Sequence, residues 1–226
     1  MLGIIFALLI SIGIPILALI YACITKRFIP FFLGILAFTI SQVLIRIPTL
    51  QYLEHSSDYL IFKTTETISH AILVGLSAGV FEEIARFILI YLLMKQRDRK
   101  SGFLFGAGHG GIEAILLVGI NAFSILFSVT AHAYNLDFFI GGIERFFAIL
   151  LHIGLSIIVL NAVVQKKFLY VILAILIHGV VNALAGILPL FMAQHVALIT
   201  VEITLALTAL AVFSYSLLIK RKERLR

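Results

Sequence analysis

Residues 66–94 read ETISHAILVGLSAGVFEEIARFILIYLLM, apolar over almost their whole length yet carrying Glu82, Glu83 and Arg86 in the interior. An α-helix needs about 20 apolar residues to cross a bilayer core, so this run is expected to span a membrane. A charge at mid-membrane costs about 2.5–3.5 kcal/mol on insertion scales, so ionisable groups at such a place point to function.

Outward from this stretch the apolar pattern repeats. Spans are expected at residues 2–24, 30–50, 66–94, 102–129, 143–164, 168–188 and 191–219, seven in all, with Pro15 a tolerated kink in the first. The longer ones must tilt or extend into the interface. The chain of 226 residues is 62% hydrophobic and 12% charged, with mean hydropathy +1.17. A soluble domain would be about 45–50% apolar and about 25% charged, which excludes a water-soluble enzyme. One cysteine, Cys23, excludes an internal disulfide and a cysteine-based zinc site. The first span is expected to stay in place and not to be a cleaved signal, because Lys26 and Arg27 follow it where a signal's basic region would precede it. The expected fold is an all-α polytopic bundle forming a single integral-membrane domain over 1–226, with its polar site on spans within 66–188.

The formal charge of +6 is distributed along the chain in a way that sets orientation. Lys26 and Arg27 follow span one, Lys95, Arg97, Arg99 and Lys100 follow span three, Lys166 and Lys167 follow span five, and the run KRKERLR ends the chain. The positive-inside rule then places the N-terminus outside and the C-terminus in the cytoplasm, and assigns the basic excess to membrane anchoring, not to nucleic acid. Residues 51–65 are of mixed polarity and are expected at the interface.

Further ionisable groups interrupt the later spans: His109 and Glu113 in span four, His152 in span five, His178 with Asn182 in span six. Counted from the cytoplasmic end of each span at 1.5 Å per residue, they fall roughly 11–21 Å deep, close to the roughly 18–20 Å of Glu82 and Glu83. His109 and Glu113 are i,i+4, as are His178 and Asn182, and Glu82 and Glu83 both lie within reach of Arg86. One glutamate is therefore expected to face a common site while Arg86 holds the other. Gly102, Gly106 and Gly110 form a small-xxx-small row that lets span four approach its neighbours closely. Glu144 with Arg145 is expected to be an interfacial pair, His70, His132 and His195 to be solvated near the outer surface, and Glu202 to be isolated.

Two chemistries fit this constellation. His109, His152, His178 and Glu113 could hold zinc with a water in the open position. Alternatively Glu and His could activate a water directly, with His178 and Asn182 stabilising an oxyanion. Both amount to hydrolysis within the membrane, for which the natural substrate is a peptide bond of a membrane-embedded or membrane-associated chain. A proton-coupled transporter and a non-catalytic membrane scaffold are the competing readings, since carboxylate–imidazole chains also relay protons and brace bundles. HExxH, GxSxG and GxGD signatures are absent.

FEEIARF, FGAGH, GHGGIEA and HGVVN resemble the motifs of the YhfC family of intramembrane metalloproteases. That family is similar to the type II CAAX prenyl endopeptidases, the bacteriocin-processing proteins, the PrsW proteases and the multispanning scaffold subunit of gamma-secretase. The resemblance runs from span three to span six. It implies Glu82 as the water-activating carboxylate with Glu83 held by Arg86, His109 as its partner, His178 and Asn182 as the oxyanion hole, and Glu113 and His152 as additional polar positions. This chain has EExxR where the CAAX branch has EExxxR. A prokaryotic plasma membrane is the location expected.

Overall fold

The computed structural model describes residues 1–128 and 133–219. His132, the end of the expected fourth span and the basic run after Ile219 lie outside the described residues. The chain forms eight helices among these residues and no strand: α1 (Leu2–Ile24), α2 (Phe28–Leu53), α3 (Ser57–Thr65), α4 (Thr67–Leu92), α5 (Arg99–Leu126), α6 (Asn135–Gln165), α7 (Leu169–Phe191) and α8 (Gln194–Leu218). All but α3 and α4 are long and apolar enough to cross a membrane. At 26 residues α4 is also long enough, but it carries the Glu82–Glu83–Arg86 group. The region expected to be merely interfacial contains α3, whose exposed Lys63 bonds Glu54 at 2.6 Å. Helix α6 starts eight residues before the expected position, because helical structure continues back through the mixed segment NLDFFIGG, whose Asn135, Asp137 and glycines interrupt the apolar pattern. Its first residue is tied to the N-terminus, with Asn135 Oδ1 accepting from the backbone N–H of Gly3 at 2.8 Å.

Helix α6 is the centre of the bundle. Every residue from Leu151 to Val163 is buried, as expected of a helix that is apolar all round. Helices α1, α4, α5, α7 and α8 pack around it. Glycine permits the closest of these contacts: a Cβ on Gly106 of α5 would lie 2.4 Å from the Ile153 Cα of α6, and one on Gly108 would lie 2.0 Å from the Phe31 carbonyl oxygen of α2. Helix α5 is thus clamped on both sides, by α2 and α6. The outer surfaces carry Leu2, Ile24, Phe127, Leu169 and Leu218, all strongly exposed, which suits contact with lipid.

Three helices widen locally into π-helical turns, at Leu9–Gly13, Thr39–Arg46 and Ile115–Gly119. The first two precede Pro15 and Pro48. A proline ring clashes with the carbonyl four residues back, and a wider turn absorbs that clash, so both helices continue through their prolines.

Candidate active site

Helix α4 presents Glu82, Glu83 and Arg86 to the interior, all buried. Glu83 receives two bonds of 2.8 Å from Arg86 Nη1, one to each oxygen. It also accepts from His178 Nδ1 of α7 at 2.8 Å. Glu82 is free of Arg86. Its Oε2 accepts from His109 Nε2 of α5 at 2.8 Å, and its Oε1 lies 3.8 Å from His178 Nε2. The two neighbouring glutamates thus divide the work, one locked by a guanidinium and one facing imidazoles.

His152 of α6 sits between these groups, its ring 4.7 Å from that of His109 and 5.2 Å from that of His178. Arg86 Nη2 donates to His152 Nδ1 at 2.9 Å. Arginine has no acceptor, so Nδ1 is the unprotonated nitrogen and Nε2 carries the hydrogen. That Nε2 lies 2.6 Å from Glu113 Oε2, although out of hydrogen-bond alignment. Glu113 is held from its other side by Arg145 Nη1 at 2.8 Å.

Seven of the eight residues expected at the site, Glu82, Glu83, Arg86, His109, Glu113, His152 and His178, therefore form one network. Asn182 does not join it. It is exposed on α7 and forms no hydrogen bond among the described residues, although it lies one turn on from the buried His178. Arg145 corrects another expectation. It is 6% exposed and bridges Glu113 to Glu144, so it belongs to the network and not to the interface. His70 is half-buried and bonds the Tyr59 hydroxyl at 2.9 Å, while His195 is exposed. Glu202 is not isolated: it shares the wall of a cavity of about 580 Å3 with Glu144.

Sequence reasoning missed two residues of α2. Gln42 Nε2 donates a short bond to Glu82 Oε1. Arg46 Nη1 donates to Gln42 Oε1 at 3.0 Å and is itself anchored on Ser77 Oγ at 3.0 Å and the Val74 carbonyl at 2.7 Å. Since arginine only donates, it fixes the amide orientation of Gln42 and turns Nε2 toward Glu82. Arg46 lies within an apolar span, so the rule that led to Glu82 also leads to it.

A metal fits the donor chemistry. Glu82, His152 and His178 each offer a ligand atom, and these atoms lie within 4.8 Å of one another. Two imidazoles and a carboxylate are a known catalytic zinc set. His178 has its second nitrogen on the Glu83 carboxylate, the arrangement that orients ligating histidines. The four carboxylates Glu82, Glu83, Glu113 and Glu144 face three guanidiniums, Arg46, Arg86 and Arg145, which leaves one negative charge for a proton or a cation to balance. This trio differs from the expected His109, His152, His178 and Glu113. His109 is turned onto Glu82, and Glu113 is drawn toward Arg145 on the far side of His152.

The sequence model of the YhfC intramembrane metalloprotease family matches residues 8–137 and 121–205. The chain is 31% identical over 211 residues to the uncharacterized membrane protein YhfC of Bacillus subtilis (strain 168), covering 79% of this chain and 80% of the relative. No solved structure matches.

Proposed function

The chain belongs to the YhfC intramembrane metalloprotease family, and from that premise we propose that it hydrolyses peptide bonds of membrane-embedded or membrane-associated substrates at the Glu82 cluster. The observation that carries this is the buried, guanidinium-free carboxylate of Glu82, bonded to His109 and facing His178. Glu82 is the general base that takes a proton from the attacking water, and His109 holds the carboxylate in place and shares the developing charge. His178, with Nδ1–H on Glu83, turns its Nε2 toward the same space and, as the imidazolium in which both nitrogens donate, stabilises the oxyanion. Arg86 sets both braces, binding Glu83 on one side and His152 on the other. In the metal-dependent form of the same reaction Glu82, His152 and His178 would instead be the ligands of a divalent ion such as zinc, His152 exchanging its contact with Glu113, and would give up the roles of base and oxyanion donor. Bound there, such an ion acts as a Lewis acid and lowers the pKa of water.

The reading extends to topology. We propose that α4 also crosses the bilayer, giving seven spans with the N-terminus outside and the C-terminus in the cytoplasm of a bacterial cell. The basic residues Lys26, Arg27, Lys95, Lys100, Lys166 and Lys167 then share one face.

The test is cleavage of a panel of transmembrane peptides by purified protein in liposomes, with products identified by mass spectrometry. Wild type cleaves at least one peptide, and Glu82→Gln and His109→Ala each lower turnover by roughly 100-fold or more. Full turnover in both variants would overturn the assignment.

A further inference from the structure

A large apolar groove lies apart from the polar cluster. It opens between α1 and α8 over a floor of Phe103 and Ile157, with Ala18 and Leu217 in its walls, and has a volume of about 710 Å3. Arg99 and Lys100 stand on its lining, both exposed. The acid beside them, Asp98, is committed to Arg27 and to the backbone N–H of Ser101. Arg99 donates to the Ile219 carbonyl at 3.2 Å, and among the described residues neither Arg99 nor Lys100 forms an ion pair. The groove therefore joins an apolar trough to two cations that have no carboxylate partner among the described residues. It lies at the end of the bundle that also bears Lys26, Arg27 and Lys95.

We infer that this groove binds one anionic phospholipid, an acyl chain lying along Ala18, Phe103, Ile157 and Leu217 and the headgroup phosphate between Arg99 and Lys100. Charge complementarity selects this occupant, since basic pockets between spanning helices on the cytoplasmic side suit anionic headgroups. The groove between α2 and α4, about 300 Å3, has no charged residue in its lining. The one beside Lys26 and Lys95 has the charge but only about 230 Å3, below the range of roughly 300–1,000 Å3 usual for ligand sites. Of these three grooves, the α1–α8 one combines volume with positive charge, while the cavity beside Glu144 and Glu202 carries the opposite charge. Each cation near the headgroup contributes about a factor of five, so the pair gives roughly 25-fold preference for a net-negative lipid.

Native mass spectrometry of the purified chain with equimolar phosphatidylglycerol and phosphatidylcholine of identical acyl chains tests this. Wild type retains one phosphatidylglycerol in clear preference. Arg99→Gln/Lys100→Gln brings the two lipids to near parity, while Lys166→Gln/Lys167→Gln, away from the groove, leaves the preference unchanged. Ala18→Phe fills the trough and loses the lipid without altering charge; should it fail to fold, the charge variants decide. Equal retention of both lipids by wild type overturns the proposal, as does an undiminished preference in Arg99→Gln/Lys100→Gln. A dimer that Ala18→Phe dissolves also overturns it, by putting a second copy in the groove. None of these outcomes depends on proteolysis.

Discussion

At the scale of single residues, the difference between Glu82 and Glu83 follows from helical geometry. Adjacent positions lie about 100° apart on a helix, so one arginine three or four residues on cannot serve both. Glu83 takes it, and removing either partner leaves a buried charge unmatched. We expect Glu83→Leu and Arg86→Leu each to cost about 3–5 kcal/mol in reversible denaturation, with the double variant costing less than the sum. Glu82 is oriented instead through Gln42 and Arg46. Gln42→Leu keeps the fold but frees the carboxylate, so turnover of a cleaved peptide should fall roughly 10–100-fold with KM little changed. An equal loss in KM and none in kcat would place Gln42 in substrate binding. The intramembrane-charge rule made the residues on α4 to α7 legible. It extends equally to Arg46, whose partner Gln42 is uncharged and gives no signal without Arg46. Arg145 reads as interfacial in the sequence because its apolar run begins only at Ile143, whereas the helix itself begins eight residues earlier and buries it.

At the scale of elements, the spans were legible from their apolar runs, while their polar extensions and the π-helical turns were not, since neither alters the apolar pattern. The glycine row was legible as a means of close approach, and its neighbours explain how His109 and His152 come within ring contact. Helix ends supply two further expectations. Lys166 closes α6 with φ of 57°, in the left-handed region, and Lys167 N–H bonds back to the Ala162 carbonyl at 3.0 Å. Glycine adopts that conformation without a Cβ penalty, so Lys166→Gly should stabilise the protein by up to about 1 kcal/mol in thermal or denaturant unfolding. At the start of α5, burial pushes the Asp98 carboxyl up. The Arg27 guanidinium and the amide and hydroxyl of Ser101 outweigh it and hold the carboxyl below its ordinary 3.8. A lowered folded pKa contributes stability that is present above the unfolded value and lost as pH falls through the folded one. Wild type should therefore lose stability below about pH 4 by more than Asp98→Asn does, as measured by melting temperature against pH.

At the scale of the whole molecule, the central question is whether α4 crosses the bilayer, because it alone brings three charged groups into the apolar layer. The energy of doing so is tolerable only because those groups are matched: Arg86 by Glu83, and Glu82 by Gln42 and His109. Without these partners each would carry the insertion cost of about 2.5–3.5 kcal/mol. The termini of α4 give the test. Cys23, the only cysteine, is exposed near Lys26 and is expected on the cytoplasmic face. In a Cys23→Ser background, Ser56→Cys in the α2–α3 turn should react with a membrane-impermeant maleimide in intact cells. Lys95→Cys, just past α4, should react only after permeabilisation, as should native Cys23 in the wild type. Labelling of Ser56→Cys and Lys95→Cys from the same side would mean that α4 does not cross, and the Glu82 cluster would then lie outside the hydrocarbon layer. Labelling from opposite sides in the reverse sense would keep the seven spans and invert the orientation, which would move the basic rim of Arg99 and Lys100 to the outer leaflet.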